Sequence, residues 1–157
     1  MLQHHTRLPN GTVFWAAHQT AGITRKPGKA WHSQPGHSLC FTLLVKCQEN
    51  CALTLDAVTG ALVAVLGRDK FAFKAPNDVV GVGQGKVAGV MIDAVQQGEA
   101  TTALIGVGVN LKAVAAEGTE FGGCGETRSA GELLSCLLEE LERRWVESVV
   151  DCEGAEK

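Results

Sequence analysis

Three observations on this sequence predict an α+β domain, a mostly antiparallel sheet packed with two helices. The chain has 157 residues, 45% of them hydrophobic, which is the length of one domain with enough apolar material for a core. Between Phe71 and Leu111 three apolar segments follow one another through short glycine- and proline-bearing connections, as antiparallel strands do. Two further segments repeat apolar residues at helical spacing and supply the helices that cover such a sheet.

The elements follow in order. Gly11 ends a turn, and TVFWAA (Thr12 to Ala17) is β-branched and aromatic enough for a strand. QTAGITRKPGKAW, from Gln19 to Trp31, is a glycine-bearing loop with Arg25, Lys26 and Lys29, either a solvated surface loop or a clamp for something anionic. LCFTLLVK (Leu39 to Lys46) is nearly continuously apolar, the mark of a strand buried on both faces. Leu53, Ala57, Ala61 and Val65 recur every fourth residue, with Leu62 and Leu66 beside them, so Leu53 to Arg68 reads as a helix. FAFKA (Phe71 to Ala75) is a strand stopped by Pro76, which lacks a ladder donor. VGVGQGK reads as a hairpin turn, with VAGVMIDAV and TTALIGVGVNL as the strands that follow. Lys112 to Thr127 reads as loop. Ser129 with Glu132 forms a capping box that opens a helix from Ala130 to about Val149, with Leu133, Leu134, Leu137, Leu138, Leu141 and Trp145 as its buried stripe. Residues 1–150 are expected to form the domain, and the polar tail after Asp151 to be disordered.

Composition narrows the function classes. A net charge of -3 gives no global basic field of the kind that drives sequence-independent nucleic-acid binding, so a small anionic ligand fits better. The N-terminus lacks a signal-peptide core, and no apolar run approaches the roughly 18 residues of a transmembrane helix, which leads to the expectation of a soluble, cytoplasmic protein. Of six cysteines, Cys47 and Cys51 form a lone C-x3-C without a second close pair, so reduced free thiols are favoured over a metal site. His4 and His5 could clip a metal, but a frayed terminus is the simpler reading.

Three segments carry candidate chemistry. Gly22 and Gly28 let the backbone of the first loop approach a ligand that its cations could neutralise. KAPND followed by GKVAG places Lys74 at a strand end, Asn77 and Asp78 beyond it, and Lys86 at the start of the next strand. If those two strands pair across the glycine-rich hairpin, Lys74 and Lys86 come together with Asp78 between them, an arrangement that an anion or a metal would relieve. In IGVGVNL, Gly106 and Gly108 lie on one face of a strand, as though something flat rests there.

QTAGITRKPGKAWHSQPGHSL, KAPNDVV with GKVAGVMID, and LIGVGVNL together resemble, in order and spacing, the biotin protein ligase family of the biotin/lipoate ligase superfamily. NGTVFWAA is similar to that family's GTVVVAE strand, and the likeness runs from about Leu8 to Leu111. It implies a fold like that of the class II aminoacyl-tRNA synthetases and biotin synthetases. It also implies ATP-dependent activation of biotin to biotinyl-5'-AMP, followed by transfer to a lysine of a biotin carboxyl carrier protein. Carried over by position, Gln19, Gly22, Lys86, Gly89, Gly106 and Gly108 are expected to bind biotin. Arg25, Lys26, Lys29, Trp31, Asn77 and Asn110 are expected at the ATP or adenylate. Lys86 matches the family's catalytic lysine, supported by Lys74, Asp78 and Arg25, with Asp78 serving Mg²⁺ or the acceptor lysine's proton.

The departures are specific. Ile23 stands where the family has an arginine that closes over biotin, Thr24 replaces a glycine, Pro27 reads as an insertion, Ala75 replaces a tryptophan and Ser38 an asparagine. The sequence starts at the family's GTVVVAE strand, so the preceding strand and helix, with the Ser-Thr-Asn segment that holds biotin's ureido group, are expected to be missing from the pocket. A homodimer closing over the uncovered surface is the corresponding expectation. Two alternatives remain: a non-catalytic ligase-like remnant that binds a ligand or partner, and a lipoate ligase or octanoyltransferase.

Overall fold

The computed structural model describes residues 7–48, 55–98, 100–116 and 119–154. Among these, the strands are β1 (Val13–Ala16), β2 (Gly22–Ile23), β3 (Ala30–Trp31), β4 (Ser38–Gln48), β5 (Phe71–Lys74), β6 (Asp78–Gly81), β7 (Gly85–Gln97), β8 (Ala100–Asn110), β9 (Val114–Ala116) and β10 (Thr119–Phe121). The helices are α1 (Leu55–Leu66) and α2 (Ala130–Gly154). The main sheet has six strands in the order β1-β4-β8-β7-β6-β5, all pairing antiparallel.

Alternation along the strands divides this sheet into two faces. Leu39, Phe41, Leu43 and Val45 of β4, Val79 of β6, Ala88 and Val90 of β7, and Ile105, Val107 and Val109 of β8 form one core with Val58, Ala61 and Leu62 of α1 and Leu133, Leu137 and Leu141 of α2. Both helices therefore lie on one side. They are tied to each other where Arg144 donates to the Gly60 carbonyl at 3.3 Å, a crossing where a Cβ on Gly60 would sit 3.0 Å from the guanidinium. The capping box expected at Ser129 is present: Ser129 N donates to Glu132 Oε2 at 2.7 Å, and Glu132 N to Ser129 Oγ at 3.3 Å.

Several expectations are corrected. A strand absent from the sequence reading, β6, occupies Asp78–Gly81, so β5 and β7 do not pair directly, and the hairpin turn narrows to Val82–Gln84. The few residues between Pro76 and Val82 cannot show a period, and their strand character comes from pairing on both sides. The expected loop at 112–127 contains the β9–β10 ladder, and the basic loop is closed at its base by β2–β3. α2 runs on to Gly154, beyond the expected end near Val149 and into the residues expected to be tail. His4, His5, Cys51 and the first residues of the Leu53 helix lie outside the described residues.

Candidate active site

The site lies on the sheet face opposite the helices. Successive registers place Lys74, Asp78, Gly89, Gly108, Cys40 and Ala16 in one row across all six strands. Gly89 and Gly108 are direct partners, which leaves a two-residue gap in the side-chain layer at the middle of the sheet.

Lys86 reaches this row by an irregularity. Its separation from Gly89 is an odd number of residues, which in a regular strand would put the two on opposite faces. The β6–β7 register slips between Val79 and Val80, pairing Val79 with Ala88 but Val80 with Lys86 and leaving Val87 as the extra residue of a bulge. The slip turns Lys86 onto the Asp78 and Gly89 face while Val87 stays fully buried in the core. Lys86 Nζ then lies 2.8 Å from Asp78 Oδ1, with both side chains 28% exposed. A Cβ on Gly89 would stand 2.9 Å from Lys86 Nζ and 3.7 Å from Asp78 Oδ1, so the ammonium occupies the space that this glycine leaves.

Trp31, on β3, covers the other half of the gap. A Cβ on Gly108 would meet its ring at 2.6 Å, and one on Gly22 would clash with its backbone oxygen. Lys86 Nζ stands 5.5 Å from the Trp31 ring centroid, near enough for a cation–π contact. The loop's base is held by Ser33, whose hydroxyl accepts from Gln19 N at 2.8 Å. Cys40 lies under the indole and beside Ser33; burial pushes its thiol up, with those two side chains pulling the other way, so it is a neutral, packed thiol.

Not every expected residue joins this cluster. Lys74 is exposed at the β5 edge, one strand from Asp78. Arg25, Lys26 and Lys29 are exposed on the loop, where Thr24 Oγ1 donates to the carbonyls of Lys26 and Lys29, both at 3.1 Å. Gln19 is exposed, and its backbone rather than its side chain is engaged. Gly106 lies one row away. A Cβ there would have Met91 as its nearest neighbour at 3.7 Å, so packing does not require a glycine. Asn77 Nδ2 donates to the Val90 carbonyl at 2.8 Å. Asn110 is 3% exposed; its Nδ2 donates to Gly122 O at 3.3 Å, while its Oδ1 and the hydroxyl of its register partner Ser38 are buried without partners. Beside it an open groove of about 760 Å³ is lined by residues 83–85, 111–113, 122, 123, 125 and 126. A Cβ on Gly122 would clash with Gln84 O, so these segments touch through glycine.

Sequence reasoning missed Ser33, Cys40 and the Val87 bulge. Cys40 had a signal, since it alternates with core residues on a strand read as buried on both faces. The bulge had none beyond the glycines that precede it.

The fold, a six-stranded antiparallel sheet with its helices on one face, matches that of solved biotin protein ligases. The biotin acetyl coenzyme A carboxylase synthetase of Helicobacter pylori superposes with a TM-score of 0.67 at 20% identity, over 91% of this chain and 67% of that one. The Aquifex aeolicus biotin protein ligase, solved in complex with biotin and ATP, also gives 0.67 at 22% identity, over 89% and 62%. This chain belongs to the biotin/lipoate A/B protein ligase family, whose pattern matches residues 2–110. It is 30% identical over 118 residues to the bifunctional ligase/repressor BirA of Escherichia coli K12 and 31% identical over 117 residues to that of Bacillus subtilis 168. Those alignments cover 71% and 68% of this chain but only 36% and 34% of the relatives, so the chain spans about a third of their length.

Proposed function

We propose that this chain is a biotin protein ligase, activating biotin with ATP to biotinyl-5'-AMP and passing the biotinyl group to a lysine of a biotin carboxyl carrier domain. The observation that carries the reading is the position of Lys86: an ammonium in contact with Asp78, over Gly89, facing the indole of Trp31. One cation there can hold a carboxylate and an α-phosphate together and counter the charge that builds up as they join. In the first step a biotin carboxylate oxygen bonds to the α-phosphorus and the bond to pyrophosphate breaks. In the second the acceptor amine attacks the activated carbonyl, AMP departs, and Asp78 is placed to take the amine proton. Lys86 must exchange Asp78 for the ligand in between.

The loop from Gln19 to Trp31 is the lid in this reading. Arg25, Lys26 and Lys29 supply cations toward the phosphates, and Gln19, Gly22, Gly106 and Gly108 border the biotin end. Trp31, Asn77 and Asn110 border the adenylate, with the groove beside Asn110 taking the nucleoside. Lys74, at the β5 edge, supports the charge of the site from outside. For magnesium, the fit is that of an ion delivered with the nucleotide: among the described residues no group of three His, Cys, Asp or Glu could hold a metal, and Asp78 offers one carboxylate. The free thiols of Cys40, Cys124 and Cys136 suit the cytoplasm, and no helix among the described residues is long and apolar enough to cross a membrane. The KAPND and QTAG motifs favour biotin over lipoate or octanoate as the acyl group.

A second reading, ligand binding without turnover, is favoured by Ile23, which is 78% exposed at the place of the family's biotin-closing arginine and adds no charge to the lid. The deciding experiment incubates the chain with biotin, Mg²⁺ and α-labelled ATP. Biotinyl-AMP should form, octanoate and lipoate should not substitute, and Lys86→Ala should remove most of the product while leaving the fold intact. A folded chain that makes no adenylate would favour the second reading. An active Lys86→Ala beside a dead Lys74→Ala would reverse the roles of the two lysines.

A further inference from the structure

We propose that Asn77 is a positioning residue for the Lys86–Asp78 pair, acting by replacing a missing backbone rung of the β6–β7 ladder with its side chain. That ladder ends with Asp78 opposite Gly89, so the next antiparallel pair is Asn77 opposite Val90. A hydrogen-bonded antiparallel pair exchanges two bonds, each residue donating its N–H to the other's carbonyl. Val90 N does donate to Asn77 O, at 2.9 Å. The reciprocal bond to Val90 O is made by Asn77 Nδ2, at 2.8 Å. The carboxamide thus stands in for the backbone N–H one residue before Asp78.

The consequence is local and directional. Asp78 is the first residue of β6, immediately after a turn and with the register slip only one residue further along. Without the Asn77 side-chain bond, Asp78 would keep its pairing with Lys74 on β5, but toward β7 only the single Val90 N–Asn77 O bond would hold the strand end before the bulge. With it, Asp78 is fixed against Gly89, and the Lys86 ammonium is drawn to 2.8 Å of Oδ1 over the glycine. Closing this rung takes a side chain that can donate to the Val90 carbonyl, which excludes aspartate at neutral pH because its carboxylate would face that carbonyl. This role rests on the ligase reading only where activity is concerned, and it does not engage the Asn77 side-chain oxygen, Oδ1, which is left to a ligand.

The first test uses the unaltered chain. NMR should show a scalar coupling through the hydrogen bond between the Asn77 side-chain nitrogen and the Val90 carbonyl carbon, slow exchange of the Asn77 carboxamide protons, and a cross-peak between Lys86 Hε and Gly89 Hα. No coupling together with freely exchanging carboxamide protons would overturn the proposal. In Asn77→Ala and Asn77→Asp the Lys86–Gly89 cross-peak should vanish and the Val90 amide should exchange at least about tenfold faster. A cross-peak that persists in both folded variants would also overturn it. In the adenylation assay the same variants should lose about tenfold or more in kcat, with KM for ATP and biotin changed less than about threefold. A rise confined to the KM for ATP, with kcat unchanged, would leave Asn77 its adenylate contact alone and overturn the positioning role. If the unaltered chain makes no adenylate, the NMR measurements still decide the positioning role.

Discussion

Three glycines of the open sheet face look alike in sequence, but they are held for different reasons, and alanine substitution separates them. At Gly108 a new Cβ would fall 2.6 Å from the Trp31 ring, so the indole or the strand must shift. Gly108→Ala should therefore cost about 1–3 kcal/mol of stability, as overpacking does, and weaken biotin binding by pushing the lid off the sheet. At Gly89 the nearest atom is the end of the Lys86 side chain, 2.9 Å away, which can swing aside cheaply. Gly89→Ala should leave stability within about 0.5 kcal/mol yet, on the proposed function, reduce adenylation on the order of a hundredfold, because the displaced group is the lysine proposed to hold the reacting carboxylate and phosphate. Gly106 has nothing closer than 3.7 Å, so Gly106→Ala should be neutral within about 0.5 kcal/mol. Urea unfolding of the three variants beside the adenylation assay checks this order, and a Gly89→Ala enzyme of full activity would remove Lys86 from its assigned place.

At the scale of elements, the joint between α1 and α2 carries a pH dependence with a definite sign. Glu140 accepts from Arg143 Nη2 and Arg144 Nε at 2.8 Å each, and Arg144 in turn donates to the Gly60 carbonyl on α1. The two guanidiniums, Arg143 foremost, hold the Glu140 carboxyl well down, from an ordinary value of 4.5 to about 2. A depressed carboxyl contributes its stability in full above the unfolded value and loses it as pH falls through the folded one. Thermal stability should therefore decline between about pH 4.5 and pH 2, where the protonated side chain releases both arginines. Glu140→Gln should lower stability at pH 7 by about 0.5–1 kcal/mol, a modest value because Arg143 is half exposed, and should flatten that acid limb. Glu126, lowered chiefly by its paired hydrogen bonds with Arg128, keeps the limb from vanishing entirely. Melting curves of the two proteins from pH 7 to pH 2 make the comparison, and identical acid limbs would show the joint to be electrostatically silent.

For the whole molecule, the two edges of the main sheet differ. β5 exposes Phe73 at 41% but follows it with Lys74, a charged residue of the kind that discourages strand addition. β1 pairs on one side only among the described residues and exposes Phe14 at 37% and Trp15 at 52%. An exposed apolar edge is most simply closed by a second copy related by a two-fold axis, so a homodimer through β1 is expected. Size-exclusion chromatography with light scattering at micromolar concentration should give about twice 16.5 kDa, falling to the monomer mass in Phe14→Lys. A monomer in the parent protein would place the apolar edge in another contact or in none.

The main strands, both helices and the capping box were legible in the sequence because each rests on local rules: apolar period, glycine and proline punctuation, and a cap three residues from its partner. So were the residue types of the site, since Lys86, Asp78, Gly89 and Gly108 stand in motifs whose order survives without any fold. Position was not legible. β6 exists only through its pairing on both sides, and the basic loop gains its ladder only when Trp31 finds Gly22. The strand period alone puts Lys86 on the wrong face relative to Gly89, and one extra residue in β7, forced by the register of β6, corrects it. That register is a property of two segments at once, so the sequence determined which groups the site contains and only the tertiary structure decided which of them meet.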